Sequence, residues 1–244
     1  MIGVILAAGR GSRLGDATES LPKPLMAVAG RTCLDFAIEA LLAVVENAVV
    51  VTGYRAELIE AHITREWAGA PVRTVRNTQL EAGNLTSLGA ARPLIGTDAF
   101  VLTNADHLFP GDMYTRHFVP SAQGIGIACE RERPVLSDEM KVIEKDGHLV
   151  AISKTLPRYD GAYIGTTCVT QSATDGYWSA FDRVNAHSDL ATASVEMVLD
   201  ELARTASRAG QSDLSPKVCW LSGLVWFEVD TPEDLAVARE SLAA

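Results

Sequence analysis

The chain opens on an apolar run, Met1-Ile2-Gly3-Val4-Ile5-Leu6-Ala7-Ala8, that stops at Gly9. Such a run, without alternation, predicts a parallel strand covered on both faces. Thr32-x-x-Asp35 then opens a helix with Leu34, Ile38, Leu41, Leu42 and Val45 on one side. Strand 48–51, a helix over 56–67 and strand 72–75 follow. This β-α-β-α-β order with short links is the doubly wound pattern of an open, mostly parallel α/β sheet. Asn84 reads as the N-cap of a helix over 85–92 that ends against Pro93, and 99–103 is a further buried strand. After strand 124–129 the alternation breaks. Segments 140–144 and 148–153 flank Lys145-Asp146-Gly147, an Asp-Gly hairpin turn. Strand 163–170, helices over 174–184 and 190–208, and a pair 217–221/224–229 across Ser222-Gly223 complete the chain, with Thr231 capping a last helix that has Pro232 in its first turn. No linker or repeat interrupts it, so 1–244 is expected to be one domain, with roughly 131–165 an antiparallel extension within it.

Right-handed crossovers place ligands at the carboxyl ends of parallel strands. The loop at the first such end is Gly9-Arg10-Gly11-Ser12-Arg13-Leu14-Gly15, followed by Leu21-Pro22-Lys23-Pro24-Leu25. Glycines let backbone N–H groups approach an anion closely, and Arg10 and Arg13 add charge. Lys23 lies between two prolines of fixed φ, in a loop without an apolar packing role, where a stiff backbone presents the ammonium in one place. A phosphate or nucleotide site is expected here. It is not a P-loop, because Gly15 is followed by Asp16-Ala17 rather than Lys-Ser/Thr. The dinucleotide fingerprint also fails, since the second strand ends in Thr52-Gly53-Tyr54 without an acid for the ribose.

Asp106 follows the strand 99–103, and a carboxylate there suits Mg²⁺, which takes one or two carboxylates plus substrate phosphates. A turn aspartate is the plainer alternative. His107 has no histidine or serine partner at a useful spacing and reads as scaffold. The charge run Glu130-Arg131-Glu132-Arg133 reads first as a solvated face.

The 244 residues suffice to bury roughly 70–75% of the unfolded surface. A net charge of −10 argues against nucleic acid or anionic membrane as partner. An anionic substrate must therefore be drawn in by local charge such as Arg10, Arg13 and Lys23. Cys33, Cys129, Cys168 and Cys219 form no Cys-x-x-Cys pair and fit a reducing compartment. The apolar N-terminus has neither a basic lead nor the length for export, so a cytoplasmic protein is expected, and either a monomer or an oligomer fits.

Leu-Ala-Ala-Gly-x-Gly-x-Arg-Leu-Gly followed by Pro-Lys-Pro-Leu resembles the signature of the sugar-1-phosphate nucleotidylyltransferases. Leu102–His107, Asp138–Lys154 and Trp226–Asp234 extend the likeness toward the small-molecule cytidylyltransferases of inositol-1-phosphate, phosphocholine or phosphonate type. The resemblance implies a Rossmann-like, GT-A-like nucleotidyltransferase that is Mg²⁺-dependent and joins CMP from CTP to a small anionic acceptor, releasing pyrophosphate. It implies that Arg13 and Lys23 are catalytic, on the β/γ- and α-phosphates, and that Asp106 and Asp230 hold the metal. Nucleotide contacts are implied at Leu6, Ala7, Ala8, Gly9, Gly11, Ser12 and Asp106, with Asn84 and Ser87 beside the base. Acceptor contacts are expected at Arg131, Arg133 and Lys154; Thr155 departs from the proline that usually follows that lysine. Neither the β-helix of bifunctional acyltransferase relatives nor the membrane domain joined to some inositol enzymes lies in these residues, so the product is expected to pass to another protein. The alternatives are a UTP-, dTTP- or GTP-dependent sugar-1-phosphate enzyme and a non-catalytic nucleotide sensor.

Overall fold

A computed structural model describes residues 1–15, 17–118 and 124–242. Nine strands form one twisted sheet: β1 (Ile2–Ala7), β2 (Asn47–Thr52), β3 (Val72–Arg76), β4 (Phe100–Asn104), β5 (Ile125–Glu130), β6 (Lys141–Lys145), β7 (His148–Ser153), β8 (Gly161–Val169) and β9 (Lys217–Trp220). Their spatial order is β3-β2-β1-β4-β8-β5-β9-β7-β6, and β6 returns to pair with the start of β8. The first four run parallel to one another, as the βα alternation predicts. The remainder is not mostly parallel. β8 runs antiparallel to β4, β5 and β6, and β7 is antiparallel to β6 and β9. Among the described strands the sheet is therefore mixed, and connection length explains it: parallel neighbours need a crossover of about a dozen residues, which β6 and β7 do not have between them.

The pleat divides the core. Val4 and Leu6 face one layer with α3 (Asn84–Ile95), α4 (Thr174–His187) and α5 (Val195–Arg208). Ile5 and Ala7 face the other, with α1 (Cys33–Leu42) and α2 (Ala56–Glu66). A third cluster joins Leu14, Met26 and Cys33 to Val229 and Leu235 of α6 (Pro232–Leu242), fastening the glycine loop to the chain end. No described helix is long and apolar enough to cross a membrane, and all four cysteines are free.

Thr32 caps α1 with a reciprocal box to Asp35, and Thr231 makes the same arrangement with Asp234. Three boundaries differ from expectation. α3 runs through Pro93 to Ile95, because proline in a last turn forgoes a single N–H bond. Asn84 is not its cap; Gly83 takes that position, and Asn84 Oδ1 accepts from the Val195 N–H at 2.9 Å, capping α5 instead. α5 itself begins at Val195, since residues 190–194 form a loop laid on the start of α3, with the Gly83 N–H donating to the Leu190 carbonyl at 2.7 Å.

Candidate active site

The expected pairing of 217–221 with 224–229 does not form, and its absence builds the site. β9 continues beside β5, with the Leu221 N–H on the Cys129 carbonyl. The chain then crosses the sheet end: the Gly223 N–H donates to Glu132 at 3.0 Å and Trp226 Nε1 to Glu130 at 2.6 Å. Phe227–Glu228 finally pairs with His107–Leu108 as a two-stranded ribbon. The Val229 N–H reaches the Asp106 carbonyl at 3.0 Å, so residues 123 positions apart in sequence stand side by side.

Asp106, Glu228 and Asp230 offer carboxylate oxygens that all lie within 4.8 Å of one another. Lys23 Nζ bonds Asp106 Oδ2 at 2.7 Å and pairs closely with Asp230 Oδ1. Arg13 divides its guanidinium between Asp230 Oδ2 at 2.8 Å and Asp138 Oδ2 at 2.9 Å. The glycine loop wraps the lysine stem: Gly11 has φ +68°, and a Cβ there would meet Lys23 Cβ at 2.7 Å. Lys23 is consequently buried, at 7% exposure, and the expectation of a loop lysine without a packing role is corrected.

Burial works against the Lys23 charge, but Asp106 and Asp230 hold the ammonium protonated above its ordinary range. Burial, with the charges of Glu228 and Asp106, pushes Asp230 up against the pull of Lys23. Burial also opposes a charge on His107, yet the Glu228 carboxylate raises the ring to about 9. Glu228 is correspondingly held down to about 2 despite its burial. His107 is thus more than scaffold: Nδ1–H donates to the Ile164 carbonyl at 3.0 Å, while Nε2 faces Glu228 at 3.4 Å and Asp106 at 3.6 Å.

Asp106 Oδ1 is buried with no hydrogen-bond partner among the described residues. An orphaned anionic oxygen beside two further carboxylates is a donor set of the kind a hard divalent cation takes, so these residues fit Mg²⁺. Glu228 escaped the sequence reading. An extended segment has period two, and with Asp230 chosen, Trp226, Glu228 and Asp230 share one side; that alternation was the available signal.

These groups form the floor of a cleft of about 1060 Å³. Leu6, Ala8, Gly9, Arg13, Asn84, Ser87, Asp106, Lys154 and Asp230 all line it. Ala7, Gly11, Ser12 and Lys23 line the adjoining recess of about 240 Å³ beneath the glycine loop. Arg131 and Arg133 are not brought in. Arg131 stacks 4.9 Å from the Trp220 ring centre, and Arg133 bonds Glu139 at 2.5 Å and Glu130 at 3.1 Å. Alternation in charge along 130–133 places these arginines in local ion pairs and ring contacts, as a solvated face would. Lys141 explains where Lys154 stands, because its buried Nζ donates to the carbonyls of Ser137 at 3.0 Å and Lys154 at 2.8 Å.

Gly165 fixes the histidine. Its φ is +75°, and a Cβ would lie 2.1 Å from His107 Cε1. Gly165→Ala is expected to cost about 2–4 kcal/mol in urea unfolding, through both backbone strain and displacement of the ring. An unfolding midpoint unchanged from wild type would remove this role.

Residues 3–163 match the family model for the MobA-like NTP transferase domain. A "Bifunctional IPC transferase and DIPP synthase" of Rubrobacter xylanophilus is 32% identical over 97% of the chain and 50% of its own length. A "CMP-5'-(3-aminopropyl)phosphonate synthase" of Streptomyces rubellomurinus is 29% identical over 95% of the chain and 37% of its own. The chain therefore spans half or less of the length of these curated relatives. The solved inositol-1-phosphate CTP transferase of T. maritima superposes with a TM-score of 0.80, at 24% identity, over 99% of this chain and 94% of that one. By the family model, which covers more than half of its length, the chain belongs to the MobA-like NTP transferases.

Proposed function

We propose that the protein is a Mg²⁺-dependent cytidylyltransferase that joins CMP to a small phosphorylated or phosphonate acceptor and releases pyrophosphate. The observation that carries this reading is the convergence of Lys23 and Arg13 with Asp106, Glu228 and Asp230 at the carboxyl ends of β1 and β4. The curated relatives' names, IPC transferase and CMP-phosphonate synthase, support CTP and a compact acceptor.

In this reading an acceptor oxygen, already anionic, attacks the α-phosphorus in line. The bond from that phosphorus to the bridging oxygen breaks, and its electron pair leaves with pyrophosphate. No proton is moved, so positioning and charge neutralisation suffice. Lys23 exchanges carboxylate oxygens for those of the α-phosphate, and Arg13 moves to the departing phosphates. Asp106 and Asp230, with Glu228, would hold Mg²⁺, which would supply positive charge to the triphosphate. The glycine loop lies along the nucleotide, with Asn84 and Ser87 at the base. The antiparallel hairpin 141–153 covers the acceptor side and brings Lys154, exposed and with no ion pair among the described residues, to the acceptor anion.

The test is pyrophosphate release with CTP, UTP, GTP, ATP and dTTP against inositol phosphate, phosphocholine, hexose-1-phosphates and small phosphonates. CTP with a compact acceptor is expected. Preference for UTP or dTTP with a hexose-1-phosphate would give the sugar-nucleotide reading, and nucleotide binding without pyrophosphate would give the sensor. Lys154→Ala is expected to raise the acceptor KM roughly 10–100-fold with the KM for CTP unmoved. A shift in the CTP value instead would move Lys154 to the nucleotide.

A further inference from the structure

Lys141 is a buried cation with no part in the chemistry derived above. It is 8% exposed, at the first position of β6. The chain carries a net charge of −10, yet Lys141 pairs with no carboxylate among the described residues. Its Nζ donates instead to three backbone carbonyls, those of Leu136 at 3.3 Å, Ser137 at 3.0 Å and Lys154 at 2.8 Å. An ammonium has three N–H donors, so each one has its acceptor. Burying a charge without a counter-ion is costly, and what offsets the cost here is the position of those carbonyls. They belong to two segments of one wall of the cleft, which residues 138–140 and 153–156 line together. The β6–β7 ladder ends at the pair Lys141–Ser153. Past that pair no backbone hydrogen bond joins 136–140 to 154–157 among the described residues. The Lys141 ammonium takes over where the ladder stops. On one side it holds the turn before Asp138, the partner of Arg13 at 2.9 Å, a turn that Glu139 closes through the Leu136 N–H at 2.6 Å. On the other it holds the carbonyl of Lys154 itself.

We infer that Lys141 is a positioning residue for the acceptor: it extends the hairpin by one side-chain bridge and so fixes the backbone from which Lys154 reaches into the cleft. This rests on the reading of Lys154 as the acceptor's cation and adds the residue that sets it. Lys154 is exposed at a strand end, and its long stem has many rotamers. With its carbonyl held, the stem starts from one place and the ammonium samples the acceptor side. With the bridge removed, Lys154 starts from a loose end, and the acceptor anion meets a cation spread over more positions.

The experiment is steady-state pyrophosphate release with CTP and, in turn, inositol 1-phosphate, phosphocholine and ethylphosphonate. It compares the wild type with Lys141→Met, Lys141→Arg, Lys154→Ala and the double variant Lys141→Met/Lys154→Ala. Lys141→Met is expected to raise the acceptor KM roughly tenfold and to leave the KM for CTP within about twofold of wild type. Lys141→Arg, which keeps the charge and the donors, is expected to restore most of the loss. In the double variant the acceptor KM is expected to match that of Lys154→Ala alone, because a residue that acts through Lys154 then has nothing left to position. A lysine that only supports the fold gives another pattern: kcat and both KM values worsen together, and the two substitutions multiply. That pattern, or an unmoved acceptor KM in Lys141→Met, would overturn the inference while leaving nucleotidyl transfer standing. If Lys154→Ala itself leaves the acceptor KM unmoved, the role of Lys154 fails and this inference with it. Silence from every acceptor with CTP would defeat the reading of the reaction as well. Calorimetric binding of CTP reports that each variant has folded. Should Lys141→Met not fold, Lys141→Gln, shorter but with two N–H donors, carries the same cycle with a smaller expected rise in the acceptor KM.

Discussion

Lys23→Ala is expected to lower turnover roughly 10²–10⁴-fold, the range that follows removal of preorganised positive charge from phosphoryl-type transfer. In this fold the lysine is also structural. Its ammonium lies between Asp106 and Asp230, whose side chains are 25% and 14% exposed. Without it two carboxylates face one another across a partly buried gap, so about 2–3 kcal/mol of stability should be lost with the metal removed. Adding Mg²⁺ should return most of that stability, because a cation can supply the charge the lysine gave, but it should not return turnover. Urea unfolding with and without Mg²⁺, beside kcat measured below the unfolding midpoint, separates the two effects. Activity within tenfold of wild type would remove Lys23 from the chemistry. Unfolding indifferent to Mg²⁺ would separate the lysine's structural role from the metal's.

The parallel half of the sheet was legible because its signals are local. Apolar runs such as 48–51 and the Thr32–Asp35 box each point one way within ten residues, and the crossover rule then puts the loop after β1 at a ligand end. The antiparallel half was legible only as a hairpin. Where β8 and β9 would sit depends on pairings across the whole chain, and no local pattern distinguishes a strand that pairs with its sequence neighbour from one that crosses the sheet end. The site followed the same division. Arg13, Lys23 and Asp106 sit beside strand ends and could be found there. Glu228 had only its alternation with Asp230 as a local signal, because what marks it is the distant His107 and Asp106 beside it. Arg131 and Arg133 stand outside the cleft lining for a related reason: charge was visible in sequence, while the Trp220 ring and Glu139 that take it up were not.

Activity is expected to vanish with chelator and return with Mg²⁺, and Asp106→Asn and Asp230→Asn should each lower turnover roughly 10²–10³-fold at saturating CTP. An amide keeps the carboxylate's shape but not the charge a hard cation requires. The two variants should differ in the metal titration. Asp106 offers Oδ1 to the metal and holds Lys23 through Oδ2 at 2.7 Å, so its replacement removes a ligand and loosens the lysine. Asp230 anchors Arg13 as well as Lys23, so its replacement also frees the arginine and should raise the KM for CTP as well. Because Glu228 is retained in both, the Mg²⁺ dependence should move to higher concentration rather than disappear. Glu228→Gln tests that third oxygen: it should weaken Mg²⁺ activation and also release His107, whose raised ring depends on that carboxylate. Full activity in both aspartate variants would sink the metal site. A Glu228 variant with wild-type Mg²⁺ dependence would reduce it to two ligands, leaving Glu228 as the partner of His107 alone.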